Sequence, residues 1–322
     1  MQAVEPSDAE YTALAYLERR IGRLHIRQRL GLERDFESRV FRRGTHFFHL
    51  ENWTSSHALI RFALRLTGLY GRGRRNACRI QLRAHRVELP MLPAAFDNFR
   101  LLHLSDLHLD VGEVFVRSLI DCVRDVEADI CVLTGDYRFQ TFGSYADCIA
   151  AMSRLRASLP ETVYAVLGNH DTIRMVPAME AMGIRVLINE SVRLERDGEA
   201  MWLAGIDDAH YFRLQNFHAA AHDIPAHAMS ILLSHTPETY RHAAHADFKL
   251  MLCGHTHGGQ ICLPGGIPVI TDADCPRAMA RGHWAYGEMI GYTSVGAGSS
   301  IVDVRLNCLP EVTLHSLHRS RQ

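Results

Sequence analysis

The stretch KLMLCGHTHGGQI, Lys249 to Ile261, decides how the rest of the chain is read. Leu250 to Cys253 form an apolar run of a length suited to a buried strand, and the glycines that follow mark a turn. His255 and His257 then stand one residue apart at the carboxyl end of that run. Such a pair is awkward in a core. It is well placed for metal binding, because one ring can hold an ion while its neighbour reaches a second centre. Alone, the stretch leaves a metal site and a solvated loop both open.

Working outward, short apolar runs recur at 100–104, 130–134, 163–167, 201–206 and 230–234. Helices are predicted between several of them, at 113–127, 144–158 and 238–246. That alternation argues for an α/β layered fold. Residues 287–295 and 311–317 read as strands with no helix between them, so part of the sheet is expected to be antiparallel. No internal repeat or low-complexity tract interrupts the pattern.

The residues after each run carry the chemistry. FRLLHLS leads to Asp106-Leu107-His108, ADICVLT to Gly135-Asp136, and TVYAVL to Gly168-Asn169-His170-Asp171. MSILLS leads to His235. Each fragment has an ordinary reading as a turn, a helix cap or a core histidine. Together, five runs end in Asp, Asn or His, and ligands in α/β sheets gather outside the carboxyl ends of strands. Imidazoles, carboxylates and an amide carbonyl without cysteine suit divalent manganese, iron or zinc. The inventory exceeds one tetrahedral site and suffices for two neighbouring ions, the arrangement that clamps a phosphoryl group and acidifies a water.

On these motifs the chain resembles the calcineurin-like metallophosphoesterase superfamily over roughly residues 97–318. The resemblance implies a four-layered α/β sandwich with mixed sheets and a site for two divalent ions, manganese first. It implies that Asp106, His108 and His257 hold one ion, that Asn169, His235 and His255 hold the other, and that Asp136 bridges both. His170 matches the family's general acid or transition-state donor, which Asp171 would orient. One departure stands out. The family reads Gly-Asp-x-x-Asp, whereas this chain reads Gly135-Asp136-Tyr137-Arg138-Phe139. Arg138 is therefore a candidate for bidentate contact with a substrate phosphate, or else pairs with a local acid.

LPAAFDNFRLLHLSDLHL, GHTHGGQICLP and VRLNCLPEVTLHSL are similar to a bacterial branch of membrane-associated phosphodiesterases. That branch includes the chlamydial-type UDP-2,3-diacylglucosamine pyrophosphatases of lipid A synthesis. The resemblance implies hydrolysis of a phosphodiester or pyrophosphate, with a lipid-linked substrate in view. A nuclease, a cyclic-nucleotide phosphodiesterase and a non-catalytic scaffold of the same fold are the alternatives. Scaffolds typically lose ligands or the catalytic histidine, and here all are present. Nucleic acid is not expected as a partner, since no interleaved aromatic platform accompanies the arginines.

Composition sets the remaining bounds. A 322-residue chain with 47% hydrophobic and 22% charged residues is an ordinary globular protein. Residues 1–100 hold 18 Arg and 10 acidic residues, while the remainder holds 17 basic and 26 acidic ones. The basic part is suited to an anionic surface and the acidic part to cations. Eight cysteines without a C-x-x-C pair point to free thiols in a reducing compartment. MQAVEPSDAEY has no basic n-region followed by an apolar h-region, so no signal peptide is expected, and no apolar stretch reaches the roughly 18 residues of a spanning helix. A cytoplasmic protein is expected, peripheral at most on the inner face of the membrane.

The domain expectation is an Arg-rich helical region and linker over 1–95, then a phosphoesterase domain over 96–322. Helical spacing runs through 10–45 and again through 56–70. In the second segment Leu59, Phe62, Ala63, Leu66, Leu69 and Tyr70 share one face, and Arg61, Arg65 and Arg72 another. That apolar face is expected either to dock on the protein or to lie on anionic lipid, helped by Arg74 and Arg75.

Overall fold

A computed structural model describes residues 8–42 and 54–320. The apolar runs become the central strands of two six-stranded sheets. The first sheet contains β1 (Gln81–Leu89), β2 (Phe99–Leu104), β3 (Ile130–Leu133), β4 (Val163–Ala165), β5 (Ile184–Val186) and β14 (Glu311–Arg319), in the order β1-β14-β2-β3-β4-β5. The second contains β6 (Glu190–Arg196), β7 (Glu199–Gly205), β8 (Ser230–Leu233), β9 (Leu250–Cys253), β12 (Gly282–Tyr286) and β13 (Met289–Thr293), in the order β12-β13-β9-β8-β7-β6. A small hairpin, β10 (Cys262–Leu263) with β11 (Ile267–Pro268), stands apart. β2 to β5 run parallel, as do β7, β8, β9 and β13. Both sheets are mixed: β14 is antiparallel to β2 and parallel to β1, while β6 and β12 are antiparallel to their neighbours.

The alternation of side chains along β2 shows how the layers are joined. Leu101 enters the core between the sheets, with Val132, Leu203, Ile231, Leu233, Leu250 and Leu252. Leu102 and Leu104 face the other way, onto a layer of helices. That layer contains α1 (Asp8–Ile21), α2 (Arg23–Arg42), α5 (Glu113–Val123), α6 (Ala146–Arg156) and α7 (Val176–Ala181). Helices α8 (Phe217–Ala221) and α9 (Tyr240–His245) cover the outer face of the second sheet. Helix, sheet, sheet and helix make the four layers that were expected. Because β3, β8 and β9 are buried along their whole length, they read as unbroken apolar runs rather than alternating ones.

The N-terminal segments differ from expectation in detail. The long helical stretch breaks at Gly22, whose φ of 87° an L side chain rarely adopts; its residues 43–45 lie outside the described residues. Leu14, Leu17, Ile26 and Leu30 of α1 and α2 belong to the same core as β2 to β4. The stretch read as one helix over 56–70 is two, α3 (Thr54–Leu66) and α4 (Leu69–Ala77), divided at Gly68. Helix α3 docks on Val302, Val304 and Leu306 through Leu64, flanked by Ile60. The apolar stripe read from the sequence faces outward instead, with Leu59 68%, Phe62 64% and Leu66 77% exposed. Arg61 and Arg74 both pair with Asp303. Among the described residues no helix is long and apolar enough to cross a membrane.

Candidate metal centre

The strand-end loops of both sheets converge. β2 presents Asp106 and His108, β3 Asp136, β4 Asn169 and His170, β8 His235, and β9 His255 and His257. All eight are buried. Five of them, Asp106, His108, Asp136, His255 and His257, have φ between 43° and 71°. Non-glycine residues in that region cost of order 1 kcal/mol or more each and gather at functional sites. Here the loops are held in it by ladder-like bonds: Asp106 N donates to Gly135 O at 3.0 Å and His108 N to Asp136 O at 3.0 Å. Close backbone approach adds to this, since a Cβ on Gly254 would meet Asp106 Oδ2 at 2.3 Å.

The side chains form two groups of donors, Asp106 with His108 and His257, and Asp136 with His235 and His255. In the first, Nε2 of His108 lies 3.2 Å from Nε2 of His257, and the latter lies 3.6 Å from Asp106 Oδ1. In the second, His235 Nε2 lies 3.2 Å from His255 Nδ1, 2.9 Å from Asn169 Oδ1 and 3.3 Å from Asp136 Oδ2. Donors sharing an ion at bond lengths of about 2.0–2.2 Å lie roughly 3.0–3.6 Å apart. Both groups therefore fit a divalent cation, and all seven predicted ligands are brought together.

The surroundings orient the rings. His108 Nδ1 donates to Arg138 O at 2.9 Å and His235 Nδ1 to Thr134 O at 2.7 Å, so each Nε2 faces the centre. Burial opposes the charge on Asp136, but His235, His170 and His108 beside it hold its carboxyl well below the usual range. Burial likewise opposes protonation of His235, yet Asp136 and Asp106 hold the ring well above its ordinary value. Burial pushes Asp106 up to about 6. His257 is pushed far down by burial and then by the Arg305 and His108 charges. Arg305 Nη2 donates to His257 Nδ1 at 3.1 Å, so the proton of that ring sits on Nε2. An ion taken up by His235 would displace a proton, as metal binding commonly does.

Two predicted roles are corrected. Arg138 is buried, and its guanidinium donates to the carbonyls of His170, Thr141 and Gly143, so it braces its own loop instead of facing a phosphate or a local acid. Asp171 does not act through the His170 ring. Its Oδ2 accepts from the N–H groups of Asp136 and Gly168, each at 2.8 Å, and its Oδ1 from that of Tyr137 at 2.9 Å. Asp171 thereby ties the β3 and β4 loops together. His170 donates its own N–H to Asp136 Oδ1 at 2.9 Å, and its ring stands 5.2 Å from that of His108.

Other participants were not anticipated. His210, hydrogen-bonded to Glu238 at 2.9 Å, packs its ring at a tilt 4.2 Å from that of His255. Arg305, fully buried, binds the carbonyls of Gly296, Gly298 and His257. Neither carries a local motif that would mark it. An apolar cavity of about 350 Å³ opens beside His255 and His257, lined by Ile60, Leu64, Val269, Ile270, Ile301 and Val302.

The family model described as calcineurin-like phosphoesterase matches residues 99–259. The chain is 30% identical over 236 residues to the "Uncharacterized metallophosphoesterase YkoQ" of Bacillus subtilis, covering 70% of this chain and 86% of that protein. It is 28% identical over 250 residues to the "Uncharacterized metallophosphoesterase YkuE" of the same organism, covering 74% and 85%. To the "Phosphodiesterase YaeI" of Escherichia coli it is 28% identical over 233 residues, covering 68% and 82%. A match over half the chain and a strand-end centre built from the family's residue types lead to one conclusion: this chain belongs to the calcineurin-like phosphoesterase family.

Proposed function

We propose that this protein is a phosphodiesterase or pyrophosphatase working with two divalent ions, manganese, iron or zinc. Asp106, His108 and His257 would hold one ion, and Asn169, His235 and His255 the other, with Asp136 shared. The observation that carries the reading is the convergence of two buried donor groups with His170 beside them. When bound, the ions would supply charge neutralisation at the phosphoryl group and an acidified water. The remaining work falls to side chains. His170, with Nε2 3.9 Å from Asp136 Oδ2, would donate a proton to the leaving oxygen. Asp171 would keep the β3 and β4 loops at fixed separation.

The cavity beside His255 and His257 supports a substrate with an apolar group next to its phosphate. Lipid-linked diesters fit that description, and UDP-2,3-diacylglucosamine is the named example from the similar bacterial branch. Leu59, Phe62 and Leu66 on α3, with Leu263, Ile267, Val269 and Ile270 around the β10–β11 hairpin, are exposed. They would let the cytoplasmic protein rest on the inner, anionic face of a membrane. The test is turnover by protein loaded with manganese, iron or zinc. UDP-diacylglucosamine, long-chain and short-chain aryl phosphodiesters and cyclic nucleotides would be compared. Absence of turnover on every phosphodiester and pyrophosphate would refute the catalytic reading. Preference for cyclic nucleotides over long-chain substrates would refute the lipid-linked one.

A further inference from the structure

We propose that Arg29 and Glu33 of α2 are positioning residues for the catalytic loop, so that the N-terminal helix completes the reactive arrangement; this rests on the phosphodiesterase reading above. The Arg29 side chain is 0% exposed and divides its donors among three partners. Nε donates to Glu33 Oε1 at 2.9 Å, Nη1 to Asp207 Oδ1 at 2.6 Å and Nη2 to Asp171 O at 2.8 Å. Its guanidinium also lies over the Phe212 ring, 3.7 Å from the centroid. Glu33 continues the line. Its Oε1 accepts from Ile173 N at 2.8 Å, and its Oε2 from Thr172 Oγ1 at 2.6 Å and Arg174 Nη1 at 3.0 Å. One pair four residues apart on a helix therefore grips four consecutive residues, 171 to 174, that directly follow His170.

The grip extends to the other sheet. Asp207, beyond the end of β7, also accepts from His25 Nε2 at 2.8 Å and from Asp208 N at 2.8 Å. Asp208 in turn accepts from the N–H groups of His210, Tyr211 and Phe212, and the His210 ring packs against that of His255. Arg29 thus spans the loop after β4 in one sheet and the loop after β7 in the other. Adhesion of the helix does not require this, because Leu17, Ile26 and Leu30 already bury the helical layer against the first sheet. Buried ion pairs are a poor means of adding stability. They are an effective means of fixing geometry when every donor and acceptor is used, and those of Arg29 and Glu33 end on the four residues after His170 and on Asp207 beyond β7.

The test uses the full chain loaded with manganese and a soluble aryl phosphodiester. Glu33→Gln keeps shape and size while facing Thr172 and Arg174 with donors. Arg29→Lys keeps charge but replaces the planar fork with a single ammonium. Arg29→Ala removes both. Expected are metal content and KM near wild type, kcat lower by roughly 10²-fold in Arg29→Ala, the scale of a misplaced reactive geometry, and smaller losses in the other two. Millimolar guanidinium should restore part of the Arg29→Ala rate and leave wild type unchanged. Hydrogen–deuterium exchange should quicken at 169–174 but not along β4. Folded, metal-replete variants with wild-type kcat and unchanged exchange at 169–174 would overturn the proposal. So would losses explained wholly by unfolding or metal release. A wild type inactive on every diester refutes the functional reading instead, and the exchange data still decide whether α2 positions the loop.

Discussion

Replacing Gly168 with Ala perturbs the centre without replacing any candidate ligand. A Cβ there would lie 2.2 Å from Asp136 Oδ1 and 2.5 Å from Asp136 N. Carbon atoms in that position essentially never approach closer than 3.0 Å, so something must retreat by about 0.8 Å. Rotation of Asp136 alone cannot relieve the clash, because its backbone nitrogen is as crowded as its carboxylate. That nitrogen is also bonded to Asp171, while the carboxylate accepts the His170 N–H. Overpacking of this kind costs about 1–3 kcal/mol of stability. A displacement near 1 Å at a reacting centre costs roughly 10²-fold in turnover. The assay is kcat on an aryl phosphodiester, with ions per chain measured by plasma mass spectrometry and folding followed by thermal melting. Gly31→Ala is the control, since a Cβ there meets nothing within 4 Å and its φ is ordinary; it should leave kcat unchanged and stabilise α2 by about 0.5–1 kcal/mol. A folded Gly168→Ala protein with two ions per chain and wild-type kcat would refute the reasoning.

His170→Ala should retain its ions yet lose roughly 10²-fold or more in kcat, the range for a lost general acid; loss of both ions would make His170 a ligand instead. Phe62→Ser with Leu66→Ser should weaken sedimentation with phosphatidylglycerol-rich vesicles at least tenfold, since each apolar side chain buried is worth about 1.5–3 kcal/mol. Turnover of a short soluble diester should stay intact, and absence of wild-type vesicle binding at any salt would remove the membrane contact. Burial pulls His103 down to about 3, and burial with His103 and His85 nearby pulls His315 down as well. Their unfolded counterparts titrate near 6.5, so the unfolded state binds protons that the folded state refuses and stability is lost as pH falls below that value. His103 alone should cost on the order of 1 kcal/mol at pH 5.5 relative to pH 7.5. Urea midpoints should therefore depend less on pH in His103→Gln, and equal slopes would exclude the effect.

The strands that carry the candidate ligands were legible because burial on both faces leaves them as apolar runs ending in Asp, Asn or His. β1 was not. Its sequence, QLRAHRVEL, is largely exposed and follows an arginine-rich helical segment, and its partner β14 lies more than two hundred residues away. Spacing could not show where Arg138 points, because its acceptors are main-chain carbonyls of a loop whose path has no sequence signature. Nothing in the four-residue spacing of Arg29 and Glu33 distinguishes them from an ordinary surface pair on a helix. Only the approach of Asp207 and of the 171–174 loop, contacts made across 140 to 180 residues, takes them out of water. The α3 stripe was legible as apolar, yet periodicity does not say whether the protein itself covers it.

The place of β14 in its sheet governs the order in which this protein can be completed. It is slotted between β1 and β2, parallel to one and antiparallel to the other. Every candidate ligand precedes it in the chain. A ribosome therefore delivers the whole chemical apparatus while β1 and β2 still present open hydrogen-bonding edges to each other and to any passing strand. Residues 311–319 close both edges in one step, and Glu311 then accepts from Tyr292 Oη at 3.0 Å, linking the two sheets. A chain halted before residue 311 would hold all seven candidate ligands and still be an aggregation hazard.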